Sequence, residues 1–112
     1  MKKIEAIVRL SCFERIRDAL ATIGVNFFTL TEVKGFGLQK GEQLMYRGSV
    51  YDADYIARLR IDIFCETEKV DEIIDTIVSA GRTGNVGDGK IVVMDLEHVV
   101  RIRNYEIGAA AI

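Results

Sequence analysis

A strand-like run followed by a helix-like run occurs twice in this chain, and that repeat restricts it to very few folds. Ile4, Ala6, Val8 and Leu10 alternate with Glu5, Ile7 and Arg9, the period of two of a strand with one buried face. Phe13, Ile16, Ala19, Leu20 and Ile23 then follow at helical spacing up to Gly24, predicting a helix over residues 12–23. Ser11-Cys12-Phe13-Glu14 has the S-x-x-E form of a capping box at its start. Val25 to Lys34, rich in Phe, Thr, Leu and Val, reads as a second strand. The second half repeats the order. Leu59, Ile61, Ile63 and Cys65 alternate with charged residues and Phe64. Val70, Ile73, Ile74, Ile77 and Ala80 then mark a helix with Thr67 as its N-cap. Ile91 to Leu96 supplies a fourth strand, and Val99 to Arg103 a short C-terminal one.

The order β-α-β-β-α-β predicts an α+β fold of the ferredoxin-like type, an antiparallel sheet with both helices on one face. At 112 residues the chain is a single domain, 1–112. Such a sheet leaves its other face bare, and here that face carries Ile7 and Phe64 among charged residues. With a mean hydropathy of +0.15, self-association by symmetry is expected to cover it.

A net charge of −2 excludes the cationic surplus that nucleic-acid binding needs. Lys2-Lys3 leads into alternation and not an apolar run, so neither a signal peptide nor membrane insertion is expected, and the chain should stay in the cytoplasm. Cys12 and Cys65 lie far apart with no neighbouring histidine, the pattern of reduced structural thiols. His98 is the single histidine, no nucleophile motif surrounds it, and the Asp71-Glu72 pair falls on a solvated helix face, so a binding protein is favoured over an enzyme.

Three features point to ligand chemistry. Gly35 to Tyr55 is a long inter-strand segment holding four glycines and three tyrosines, and connections of that length are usually functional. The stretch Thr83-Gly84-Asn85-Val86-Gly87-Asp88-Gly89-Lys90 ends in a glycine-flanked turn and a lysine. Its amides can approach an anion, provided the Asp88 side chain turns back to cap the loop; an ordinary tight turn is the alternative. It lacks the G-x-x-x-x-G-K-[ST] spacing of a Walker loop. Arg101 and Arg103, alternating to one side, can grip phosphate oxygens, or simply form a solvated strand face. Gly35-Phe36-Gly37-Leu38-Gln39-Lys40-Gly41 can wrap a ligand, with Gln39 as an oxygen donor to a hard cation such as Mg²⁺.

Together these residues resemble one family. Tyr46-Arg47-Gly48-Ser49-Val50-Tyr51 resembles the P-II motif Y-[KR]-G-[AS]-[AE]-Y, departing at Val50. Thr83 to Val93 resembles the second P-II signature, departing at Val92, where an aromatic is usual. Lys34-Gly35-Phe36-Gly37 and Arg101-Ile102-Arg103 also fall in register, so the likeness spans nearly the whole chain.

The resemblance implies a homotrimeric signalling protein with ATP or ADP bound competitively between subunits, and 2-oxoglutarate bound beside Mg-ATP. A T-loop, here about Phe36 to Tyr55, would regulate an ammonium transporter or nitrogen-metabolism enzymes. By matching position, Thr29, Gly35, Gly37, Asp62 and Phe64 would surround base and ribose, Phe64 mainly through its backbone, while Leu38 lacks the phosphate-facing charge usual at its position and would contribute backbone only. Gly87, Asp88, Gly89 and Lys90 would hold phosphates, and Arg101 and Arg103 would complete the clamp across the interface. Gln39 would ligand Mg²⁺, while Lys40, Gly41 and Arg58 would meet 2-oxoglutarate. Arg47 would meet the partner, and Tyr51 would be the residue open to nucleotidylation. Leu38, Arg58, Asp62 and Phe64 replace the usual Arg, Lys, Glu and Val, Leu10-Ser11 the usual Pro-Phe, and Asn104-Tyr105-Glu106 the usual Thr-Gly-Glu. These changes leave room for a P-II-like paralogue tuned to another small anion.

Overall fold

A computed structural model describes residues 1–36 and 55–112. Gly37, Leu38, Gln39, Lys40, Gly41, Arg47 and Tyr51 therefore lie outside the described residues.

Strand β1 (Lys2–Val8), with one face buried as its alternation predicts, runs through the middle of the sheet. It pairs antiparallel with β3 (Tyr55–Cys65) on one side and with β4 (Lys90–Asp95) on the other. β2 (Thr29–Phe36) pairs antiparallel with β3 and completes the order β2-β3-β1-β4. Helices α1 (Phe13–Thr22) and α2 (Val70–Gly81) both lie on one face. The register places Ile4 opposite Ile63 and Ala6 opposite Ile61. These four pack against Ile16, Leu20, Ile73 and Ile77 from the helices, all nearly or fully buried. At the end of α2, Gly81 makes close contact possible: a Cβ there would stand 3.1 Å from Ile16 Cδ1. Cys12 and Cys65 are buried free thiols, and burial pushes the Cys65 pKa up.

Both expected N-caps are corrected by the structure. The chain enters α1 through a 3₁₀ turn at Leu10–Cys12, in which the Cys12 amide donates to the Arg9 carbonyl at 3.1 Å. Cys12 has helical dihedrals and no side-chain cap bond, so Ser11 and Glu14 form no capping box. A side-chain cap requires extended geometry at the N-cap, and here the extended residue is Arg9, one turn earlier. α2 starts the same way: Glu66 is extended, Thr67–Lys69 form a 3₁₀ turn, and Thr67 Oγ1 accepts from the Met1 amino group at 3.2 Å.

β2 begins four residues later than predicted. Gly24, at φ +87°, ends α1 with its amide on the Ala21 carbonyl, while the Val25 amide donates to the Leu20 carbonyl at 2.9 Å. Val25 is thereby drawn into the helix cap and its side chain onto the core, out of the sheet. The expected C-terminal strand is reduced to one antiparallel bridge, Val100 to Ile107, because the chain turns at residues 102–104. On the face away from the helices, Phe64, Val92 and Met94 are exposed. They lie among Lys3, Glu5, Arg60 and Asp62, which form ion pairs at 3.3–3.7 Å.

Candidate functional site

The turn at residues 83–90 is shaped by its acidic residue, which points inward as the anion reading required. Asp88 accepts from the Thr83 hydroxyl, from the amides of Thr83 and Gly84 at 2.9 and 2.8 Å, and from Arg9 Nε at 3.0 Å. The Thr83 hydroxyl bond leads these donors in holding the Asp88 pKa far below the usual carboxylate range, against an opposing desolvation effect. The carboxylate is thus ionised and already satisfied. Gly87 and Gly89 stand at φ +102° and +103°, in the left-handed region that glycine tolerates. A Cβ on Gly89 would lie 1.8 Å from the Ile7 carbonyl oxygen, so the turn is seated against β1 with no side-chain space. A Cβ on Gly87 would meet Arg58 Nη2 at 2.9 Å and Arg9 Nη2 at 3.1 Å. Two guanidinium groups therefore flank the glycine, and Lys90 opens β4 beside it, paired with Ile7 and exposed.

A second concave region sits at the other end of β3. Thr29, Asp62 and Phe64 line a cleft of about 590 Å³, within the size range of small-molecule sites. Phe27, 85% exposed, adds an aromatic edge, and Val100 and Ile112 of the C-terminal segment form the opposite wall. Asp62 is 9% exposed. Its Oδ2 receives Arg60 Nε at 3.3 Å, while Oδ1 has only Lys3 Nζ at 3.7 Å and no hydrogen bond.

The residues assigned by resemblance thus divide into two groups within one chain. Gly35 is six residues along β2 from Thr29, about 20 Å at strand rise, so it is not beside the cleft. It stands opposite Ile56, near Arg58 and hence toward the glycine turn. Thr29 and Lys90 are on opposite edge strands, three strand spacings across the sheet and two residues along it, about 16 Å apart. Arg101 is engaged by its own chain: it forms an ion pair with Glu106, and Nη2 donates to the Ala110 carbonyl at 2.9 Å. Arg103 is exposed. Arg9 and Phe27 were not legible as site residues. For Arg9 the signal lay only in its position, the first residue after a strand whose end meets the glycine turn.

The family profile described as nitrogen regulatory protein P-II matches residues 1–106. This chain belongs to the P-II family. Nitrogen regulatory protein P-II 1 of Escherichia coli K12 is 46% identical over 112 residues, covering both chains completely. Nitrogen regulatory protein P-II of Microchaete diplosiphon is 43% identical with the same full coverage. A crystal structure of Arabidopsis thaliana PII bound to citrate superposes with a TM-score of 0.80 at 32% identity, covering 98% of this chain and 87% of that one. P-II family members are signalling regulators of nitrogen metabolism and not enzymes. Among the described residues of this P-II chain, no helix is long and apolar enough to cross a membrane.

Proposed function

We propose that this P-II chain binds ATP or ADP between the subunits of a homotrimer and signals nitrogen status through residues 36–55. The observation that carries this reading is the inward-turned Asp88: it leaves a glycine turn flanked by Arg58, Arg9 and Lys90 and open to phosphate. The separation of that turn from the Thr29–Asp62–Phe64 cleft favours a site completed by a second chain, whose cleft would take the base while this chain's turn takes the phosphates. Arg101 and Arg103 would join the phosphates once Arg101 leaves Glu106. Mg²⁺ would arrive on the nucleotide, with Gln39 as its protein ligand, and would neutralise phosphate charge there. In this reading 2-oxoglutarate binds with Mg-ATP at Lys40, Gly41 and Arg58. Arg47 carries docking onto an ammonium transporter or a nitrogen-metabolism enzyme, with Tyr51 as the site of nucleotidylation.

Calorimetric titration with ATP and ADP, with and without Mg²⁺ and 2-oxoglutarate, tests it. Lys90→Ala should weaken ATP binding about ten- to a hundredfold, the scale of one charge-assisted bond. Unchanged affinity would refute the phosphate assignment. A second reading, a paralogue responding to another small anion, is favoured by the position of Arg58 against Gly87 and by the citrate in the Arabidopsis relative. Heat from citrate and none from 2-oxoglutarate would select it.

A further inference from the structure

We infer that Arg9 is the positioning residue of the glycine turn, setting the shape in which the turn receives phosphate; this rests on the nucleotide reading above. Its single guanidinium bridges the two neighbours of Gly87. Nη2 donates to the Val86 carbonyl at 2.8 Å and Nε to Asp88 Oδ1 at 3.0 Å. Gly87 between them stands at φ +102°, one of the many conformations open to glycine, and the two ties on either side select it. Arg9 itself is anchored: it follows β1 directly, has extended dihedrals, and its carbonyl accepts the Cys12 amide. The rigid end of the central strand is thus linked by one side chain to the turn.

The bridge has two effects on an approaching anion. It draws the Val86 carbonyl oxygen, a lone-pair donor that would repel phosphate, toward a cation. It also adds a charged donor to the three contacts from Thr83 and Gly84 that hold Asp88 inward. The Arg9–Asp88 pair is neutral in sum, so the positive charge offered to the ligand comes from Arg58 and Lys90. Arginine is required chemically, because a planar fork reaches two acceptors at fixed separation and a lysine ammonium on a flexible stem does not.

The test combines ATP titration of the full chain with amide hydrogen exchange of the unliganded protein, for the parent, Arg9→Ala and Arg9→Lys. Arg9→Ala is expected to weaken ATP about tenfold or more, and Arg9→Lys to stay at least about threefold weaker than the parent. Exchange at the Thr83 and Gly84 amides should accelerate in both variants while the Ile4–Val8 amides keep their protection. Three results each overturn the inference: ATP affinity within about twofold of the parent in Arg9→Ala, full recovery in Arg9→Lys, or equal acceleration throughout β1. If the parent binds no ATP the nucleotide reading fails, and the exchange measurements then decide alone whether Arg9 holds the turn.

Discussion

Gly89 shows how little freedom single residues have at the site. A methyl group there would lie 1.8 Å from the Ile7 carbonyl oxygen and 2.9 Å from its carbon, and both are backbone of the central strand and have no rotamer to change. Gly87 differs, since its added methyl would meet only the ends of the Arg58 and Arg9 side chains. Gly89→Ala should therefore cost about 3 kcal/mol or more of folding stability, through clash and left-handed strain together. Urea unfolding measures this, and a midpoint within error of the parent would contradict the seating described. The G-D-G spacing was legible as a turn open to anions, and so was the condition that Asp88 face inward. Arg9 was not legible, because its partner Val86 is 77 positions away and only the fold brings them together.

At the scale of elements, the strand and helix interiors were readable because alternation and helical spacing report burial directly, as Ile4, Ala6 and Val8 show against Ile16 and Leu20. Their ends were not. Ser11 and Thr67 carried the composition of caps, yet backbone 3₁₀ turns met the same need, and Val25 was claimed by a helix terminus before it could join β2. The C-terminal segment holds a further departure. Tyr105 has φ +63°, the only non-glycine residue with positive φ among the described residues, and it occupies the position where the P-II pattern has glycine. Its amide donates to the Arg101 carbonyl at 2.8 Å, and next to it Glu106 ties back to Arg101 and Asn104. Left-handed strain at a bulky residue costs about 1–2 kcal/mol, while glycine would cost about 0.5–1 kcal/mol in chain entropy. Tyr105→Gly should therefore stabilise the fold slightly, by up to about 1 kcal/mol. A clear loss in thermal unfolding would mean that the exposed ring makes contacts in the assembled protein.

For the whole molecule, the uncovered sheet face is where the proposed trimer would form. Phe64, Val92 and Met94 are exposed there beside charges that already pair within the chain, leaving apolar area for another copy and few unpaired charges to oppose it. Met94 stands opposite Lys3 in the ladder, so Met94→Arg places like charges side by side in the face. Light scattering should then show a monomer where the parent is the proposed trimer; a parent-sized mass for the variant would place the interface elsewhere. The late start of β2 matters at this scale too. Its first pair is Thr29 with Asp62, so on that side the backbone of Ile63–Cys65 runs on without a neighbour, at the wall of the 590 Å³ cleft. In the proposed nucleotide reading the base would lie along that free edge, read by main-chain groups that no side-chain substitution removes. A base read by main chain would give the cleft a tolerance the glycine turn does not have, since Phe64, where the P-II resemblance implies valine, changes the side chain and leaves the backbone edge in place.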